Sequence, residues 1–197
     1  MDAMKTNMFV RTVNYSVCCF LILFTTPSFA QGPGSHLLTQ AVKVGSQGDV
    51  LEYAIFKDWS VECRTSGTSD ESRCEMNTPV LIETIDKKIS SAVSIKLIFE
   101  KANKPAIAVI QTPLELLLSK GIELEIDSRK LGKLTYRSCH ATGCLAPFSV
   151  SGGIRRAMLN GLSAKLALYN LEGDAKKYQF SLLGISNAVR YANFYLK

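Results

Sequence analysis

Four of the six cysteines in this 197-residue chain fall into two short-range pairs, Cys63 with Cys74 and Cys139 with Cys144. Neither pair has Cys-x-x-Cys or zinc-ligand spacing, so the pattern predicts local disulfides in a protein that folds in an oxidising compartment. Bridges this local constrain the fold, because they suit segments that run side by side as the arms of hairpins. Alternation of period two supplies such arms. Val93, Ile95, Leu97 and Phe99 alternate with Ser94, Lys96 and Glu100; Ile122, Leu124 and Ile126 with Glu123, Glu125 and Asp127; Tyr178, Phe180 and Leu182 with Gln179 and Ser181. These are half-buried strands. Further strands are predicted near Trp59–Arg64, Arg73–Ile85, Ala106–Gln111, Lys133–Cys139, Cys144–Val150 and Lys165–Leu171. Short strands separated by Gly, Pro, Asn and Asp turns, without regular strand–helix alternation, predict a mainly β, antiparallel sandwich.

The first strand pair can be aligned by its cysteines. With a polar loop over Thr65–Ser72, Cys63 faces Cys74 and Val61 faces Met76, which puts Trp59, Val61, Met76 and the bridge on one apolar face. The second pair brackets His140-Ala141-Thr142-Gly143, a four-residue loop suited to a hairpin end. Loops this short give bridges worth roughly 2 to 3 kcal/mol each on the chain-entropy estimate.

The remaining cysteines, Cys18 and Cys19, lie in an apolar run, Val17–Phe24, preceded by Lys5 and Arg11 and followed by Ser28-Phe29-Ala30. A charged start, a short apolar centre and small residues at a cleavage position predict a secretory signal over residues 1–30. The run is interrupted by Asn14 and Ser16 on one side and Pro27 on the other, too short for the roughly 20 apolar residues of a spanning helix. No transmembrane span is therefore expected in the mature chain. Residues 31–49 are rich in Gly, Ser and Gln and read as a flexible leader, with a single β-sandwich domain over 50–197. Loss of Asp2, Lys5 and Arg11 with the signal lowers the formal charge of +6 by one. The basic residues are scattered, so the expectation is a solvated, mildly basic surface.

Two segments follow helical spacing: Ile154, Ala157, Met158, Gly161 and Leu162, and then Ile185, Ala188, Val189, Ala192, Tyr195 and Leu196, with Ser186 as the expected N-cap. The C-terminal segment is an amphipathic helix whose outward face carries Arg190 and little other charge. Packing over an open edge of the sandwich is its expected role.

Several of these elements together resemble the invasion-associated locus B family. They are Phe56-Lys57-Asp58-Trp59-Ser60-Val61-Glu62-Cys63 with Cys74 downstream, Pro113–Asp127, Arg137-Ser138-Cys139-His140-Ala141-Thr142-Gly143-Cys144-Leu145-Ala146, and Ser181-Leu182-Leu183-Gly184 leading into the last helix. The order and spacing match over roughly residues 57–192. Trp59, Arg137, Gly143, Ala146 and Gly184 are the motif residues beside the cysteines. The chain departs from the family pattern at Glu115, where Gly is frequent, and at Ile185, where Phe is usual. The resemblance implies an immunoglobulin-like sandwich in an exported protein of a Gram-negative bacterium, in the periplasm, associated with the outer membrane, or secreted. It also implies virulence through host-cell invasion, the founding member being linked to erythrocyte entry.

Catalytic chemistry finds little footing in these residues. His140 is the one histidine of the strand-rich region, since His36 lies in the leader, and it occupies a loop between two bridged cysteines. Glu123 and Glu125 alternate as the wet face of a strand does, rather than as a glycosidase pair. A metal site at Cys139, His140 and Cys144 would need free thiolates. Lys87-Lys88, Arg155-Arg156 and Lys176-Lys177 lack the aromatic interleaving of a nucleic-acid surface. The expectation is a non-enzymatic protein without cofactor, metal or nucleic acid, whose partners are a host-cell surface or bacterial envelope components. The alternative is a periplasmic housekeeping or ligand-binding protein, and oligomeric state is left open.

Overall fold

The computed structural model describes residues 41–46, 49–65, 72–82 and 92–197. The expected signal segment, residues 31–40 and Lys87-Lys88 lie outside the described residues. In chain order the strands are β1 (Ala41–Ser46), β2 (Asp49–Phe56), β3 (Trp59–Thr65), β4 (Ser72–Thr78), β5 (Val80–Ile82), β6 (Ser94–Phe99), β7 (Ala106–Thr112), β8 (Ile122–Ile126), β9 (Arg129–Leu134), β10 (Ser138–His140), β11 (Gly143–Val150), β12 (Ser163–Tyr169) and β13 (Ala175–Ser181). Helix α1 (Gly152–Asn160) separates β11 from β12, and α2 (Ile185–Tyr195) follows β13.

Each named strand pairing is antiparallel, and the strands form two sheets. One has the order β1-β2-β3-β4-β6-β7-β11-β10, the other β5-β13-β12-β8-β9. This is the two-sheet architecture of immunoglobulin-like sandwiches. Alternation in sequence becomes alternation in burial: Ile95, Leu97 and Phe99 of β6, Ile122, Leu124 and Ile126 of β8, and Tyr178 and Phe180 of β13 all point into one core. The sheets meet around Trp59, which is fully buried. Its ring packs edge-on to Phe180 at 6.5 Å, and its indole N–H donates to the Ser181 carbonyl at 3.0 Å. The polar atom of the largest core side chain is thereby satisfied across the sandwich.

Several expectations are corrected by these elements. The stretch Arg73–Ile85 is not one strand. It divides at Pro79, which has no N–H to give to a ladder, so β4 stays in the larger sheet and β5 crosses to the smaller. Lys133–Cys139 divides likewise, with β9 ending at Leu134 in the smaller sheet and β10 starting at Ser138 in the larger. The stretch read as a flexible leader contains β1 and the first residue of β2, which pair as a hairpin from Ala41↔Ala54 to Ser46↔Asp49. Its Ala-Val-Lys-Val run was too short to stand out from the surrounding Gly, Ser and Gln.

Finally, Ser186 does not cap α2. Gly184 is the N-cap residue, and the Ser186 hydroxyl instead donates to the Leu159 carbonyl of α1 at 2.7 Å, tying the two helices together. Helix α2 buries Ile185, Ala188, Val189 and Ala192. It lies against β2, β3 and β4, on the face of the larger sheet rather than along its edge. Helix α1 stops at Asn160, so Leu162 falls beyond it and stands exposed, while the Asp127 carboxylate accepts the N–H groups of Leu162 and Ser163 at 3.1 and 3.0 Å.

Candidate functional site

The motif residues separate into two clusters. The first lies under α2. Cys63 and Cys74 are directly opposite on β3 and β4 and are disulfide-bonded, with Val61 opposite Met76 on the same buried face. The Ala192 carbonyl oxygen of α2 sits 3.8 Å from the Cys74 sulfur. Tyr191 packs against Phe56 with ring centroids 5.5 Å apart and donates its hydroxyl to the Glu52 carboxylate at 3.1 Å; the Tyr195 hydroxyl lies 3.0 Å from that of Thr65. Burial, reinforced by the Glu52 carboxylate, pushes the Tyr191 phenol up to about 12. Gly184 makes the turn into this helix at φ 92°, and a Cβ there would stand 2.0 Å from the Phe56 carbonyl oxygen. No other residue fits without moving the backbone.

The second cluster is on the far edge of the larger sheet. Cys139 and Cys144 are opposite on β10 and β11 and are bridged. Gly143, at φ 136°, packs so tightly that a Cβ would lie 2.2 Å from the Thr112 carbonyl oxygen. Ala146 is fully buried opposite Ile110, and the Arg137 backbone N–H donates to Leu145 at 2.8 Å while its side chain is exposed. Four strand steps separate β3 from β11, about 19 Å at the usual spacing. Trp59 and the Arg137–Ala146 element therefore build two anchor points of one fold and do not converge on a shared site. His140 is exposed at the end of β10, paired with Gly143, so the turn is the two residues Ala141-Thr142 and not the four-residue loop expected.

Glu115 and Ile185, where the sequence departs from the family pattern, each have a local explanation. Glu115 has φ 63°, the left-handed conformation that favours glycine. Ile185 is buried at the start of α2, so one large apolar side chain replaces another.

The outward face of the smaller sheet holds an arrangement that reading along the chain missed. Glu123 and Glu125 do lie on a strand's wet face, half-buried, but the register places lysines around them. One row across the sheet reads Lys133, Glu123, Ala167, Lys177, and the next reads Lys130, Glu125, Lys165, Gln179. All of these but Gln179 line a groove of about 380 Å³. Glu123 also hydrogen-bonds the Tyr169 phenol and raises its pKa, since deprotonation would set two anions side by side. On the opposite outer face, Glu75 pairs with Arg73 at 3.0 Å and Lys96 at 2.6 Å. Partial burial pushes its carboxyl up, but Lys96, Arg73 and Arg64 together outweigh that and hold it below the ordinary value.

Fold and clusters define a class: a two-sheet antiparallel sandwich whose larger sheet is clipped by a disulfide-bridged hairpin in two places and covered at one by a C-terminal helix. The chain belongs to the Invasion associated locus B (IalB) protein family, whose sequence model matches residues 59–193, from the buried tryptophan into the last helix. Among its relatives are the Invasion protein B homologs of Brucella abortus strain 2308 and of Brucella abortus biovar 1 (strain 9-941). Each is 25% identical over 135 residues, 68% of this chain and 75% of the relative. The crystal structure of invasion associated protein b from Bartonella henselae has a similar fold, with a TM-score of 0.57 at 20% identity over 71% of this chain and 93% of that one.

Proposed function

We propose that this protein is exported and contributes to host-cell invasion without catalysing a reaction, acting through contacts with a host-cell surface or with envelope components. The observation that carries this reading is membership of the invasion-associated family over residues 59–193. The Brucella relatives named as invasion protein B homologs point the same way. Two disulfides suit an oxidising compartment, and no helix among the described residues is long and apolar enough to cross a membrane. The non-enzymatic part of the reading rests on His140 standing exposed at the end of an edge strand and on cysteines committed to bridges. A rigid sandwich that presents loops and sheet faces is a common basis of recognition.

The experiment is deletion of the gene followed by host-cell entry and broth-growth assays, with complementation by the wild-type chain. Entry should fall while growth stays near normal. A strain that invades normally but leaks envelope contents, or becomes detergent-sensitive, would replace this reading with a periplasmic housekeeping role.

A further inference from the structure

We infer that the groove on the outer face of the smaller sheet is a binding site for an anionic saccharide, a polyhydroxylated ring carrying a phosphate or sulfate group. The groove exists because its lining has little side-chain bulk at two points. Ala167 stands between Glu123 and Lys177, and Gly132, at the irregularity in the β8–β9 pairing, has open space where a Cβ would project. Four lysines, Lys130, Lys133, Lys165 and Lys177, face two carboxylates, Glu123 and Glu125, so positive charge is in excess. Neither Lys130 nor Lys177 makes an ion pair with a described residue. The ammonium of Lys133 donates to the Ser119 carbonyl at 3.2 Å, which holds one cation at the rim.

The mixture of charges selects the ligand. Ammonium groups bind anionic oxygens through charge-assisted hydrogen bonds. Carboxylates in the same groove repel a bare polyanion and need hydrogen-bond donors of their own. A sugar hydroxyl donates, and a phosphate or sulfate ester on the same ring accepts, so one molecule satisfies both sets. A volume of about 380 Å³ accommodates a ring of this size. This inference rests on the sheet and not on the invasion reading. A deletion strain that enters cells normally leaves it standing, and its own failure leaves invasion by other surfaces untouched.

The test is an amide-resolved NMR titration of the oxidised full-length chain with glucose 6-phosphate, glucose 6-sulfate, glucose and inorganic phosphate. At least one of the two charged sugars should shift the Gly132 and Ala167 amides saturably and at lower concentration than either glucose or inorganic phosphate. The shift should weaken as salt rises. Lys130→Ala with Lys177→Ala should weaken binding by about tenfold or more, the loss expected from removing charged hydrogen-bond donors. Should that variant not fold, Ala167→Leu fills the groove without changing charge and should abolish binding while the remaining amides keep their dispersion. Inorganic phosphate binding as well as the charged sugars, glucose binding as well as they do, or no saturable shift with any probe would each overturn the proposal.

Discussion

Cys63–Cys74 and Cys139–Cys144 each join residues directly opposite in an antiparallel pair, with Cα atoms 4.0 Å apart in both, but their surroundings differ. The first bridge is fully buried beneath α2; in the second, Cys139 is exposed on the short edge strand β10 and only Cys144 is buried. Their sequence separations are 11 and 5. On chain entropy alone they are worth nearly the same, about 3 and 2 kcal/mol. What distinguishes them is packing: the buried bridge is also a core side chain, in contact with the helix that closes the fold.

The largest effect that tests this comparison is loss of the buried bridge. Cys63→Ala with Cys74→Ala removes both the loop constraint and two buried sulfurs, and should cost about 3–5 kcal/mol in urea unfolding. Equal costs for the two bridges would break the contrast. Cys139→Ala with Cys144→Ala should cost about 2 kcal/mol and leave α2 in place, as read from protection of its amides. In the wild-type protein, graded reductant followed by alkylation and peptide mapping should open Cys139–Cys144 first, because Cys139 is exposed to an attacking thiolate. Simultaneous opening would show that α2 does not shield its bridge.

The smallest effect concerns the helix's own attachment. Tyr191→Phe removes the hydrogen bond to Glu52, a charge-assisted bond at a half-buried site worth about 1 kcal/mol. A phenol held at about 12 in the folded protein, against about 10 unfolded, gives stability fully present below pH 10 and lost as pH rises through 12. The alkaline decline of the urea midpoint should therefore be shallower in Tyr191→Phe than in the wild type. Identical declines would remove Tyr191 as its source.

The buried hairpin was legible in the sequence because everything that fixes it is local. Cys63, Cys74, Val61 and Met76 set one another's register within a few residues of the turn. The C-terminal helix was legible from its period, though not its place on the sheet or its cap, because Gly184 owes its role to the Phe56 carbonyl far away in sequence. Strand boundaries failed where the chain changes sheets: the alternation of Cys74, Met76 and Thr78 runs on to Val80 across Pro79, and burial gives the same pattern on either side of the crossing. The groove was the least legible part. Lys130, Lys165 and Lys177 come from three strands, and their meeting depends on the registers β8↔β9, β8↔β12 and β12↔β13.

Placing α2 at the end of the chain has a consequence for how the protein is made. The Trp59–Ser181 bond spans 122 residues, and the contact of Cys74 with Ala192 spans 118. The first bridged hairpin to emerge is thus the last to be sealed, and until Ile185–Tyr195 arrive its bridge remains open to exchange with passing thiols. A nascent chain truncated before Ile185 would carry an exposed cystine and an uncovered apolar sheet face. Both are marks by which folding catalysts and proteases can distinguish a finished copy from an unfinished one.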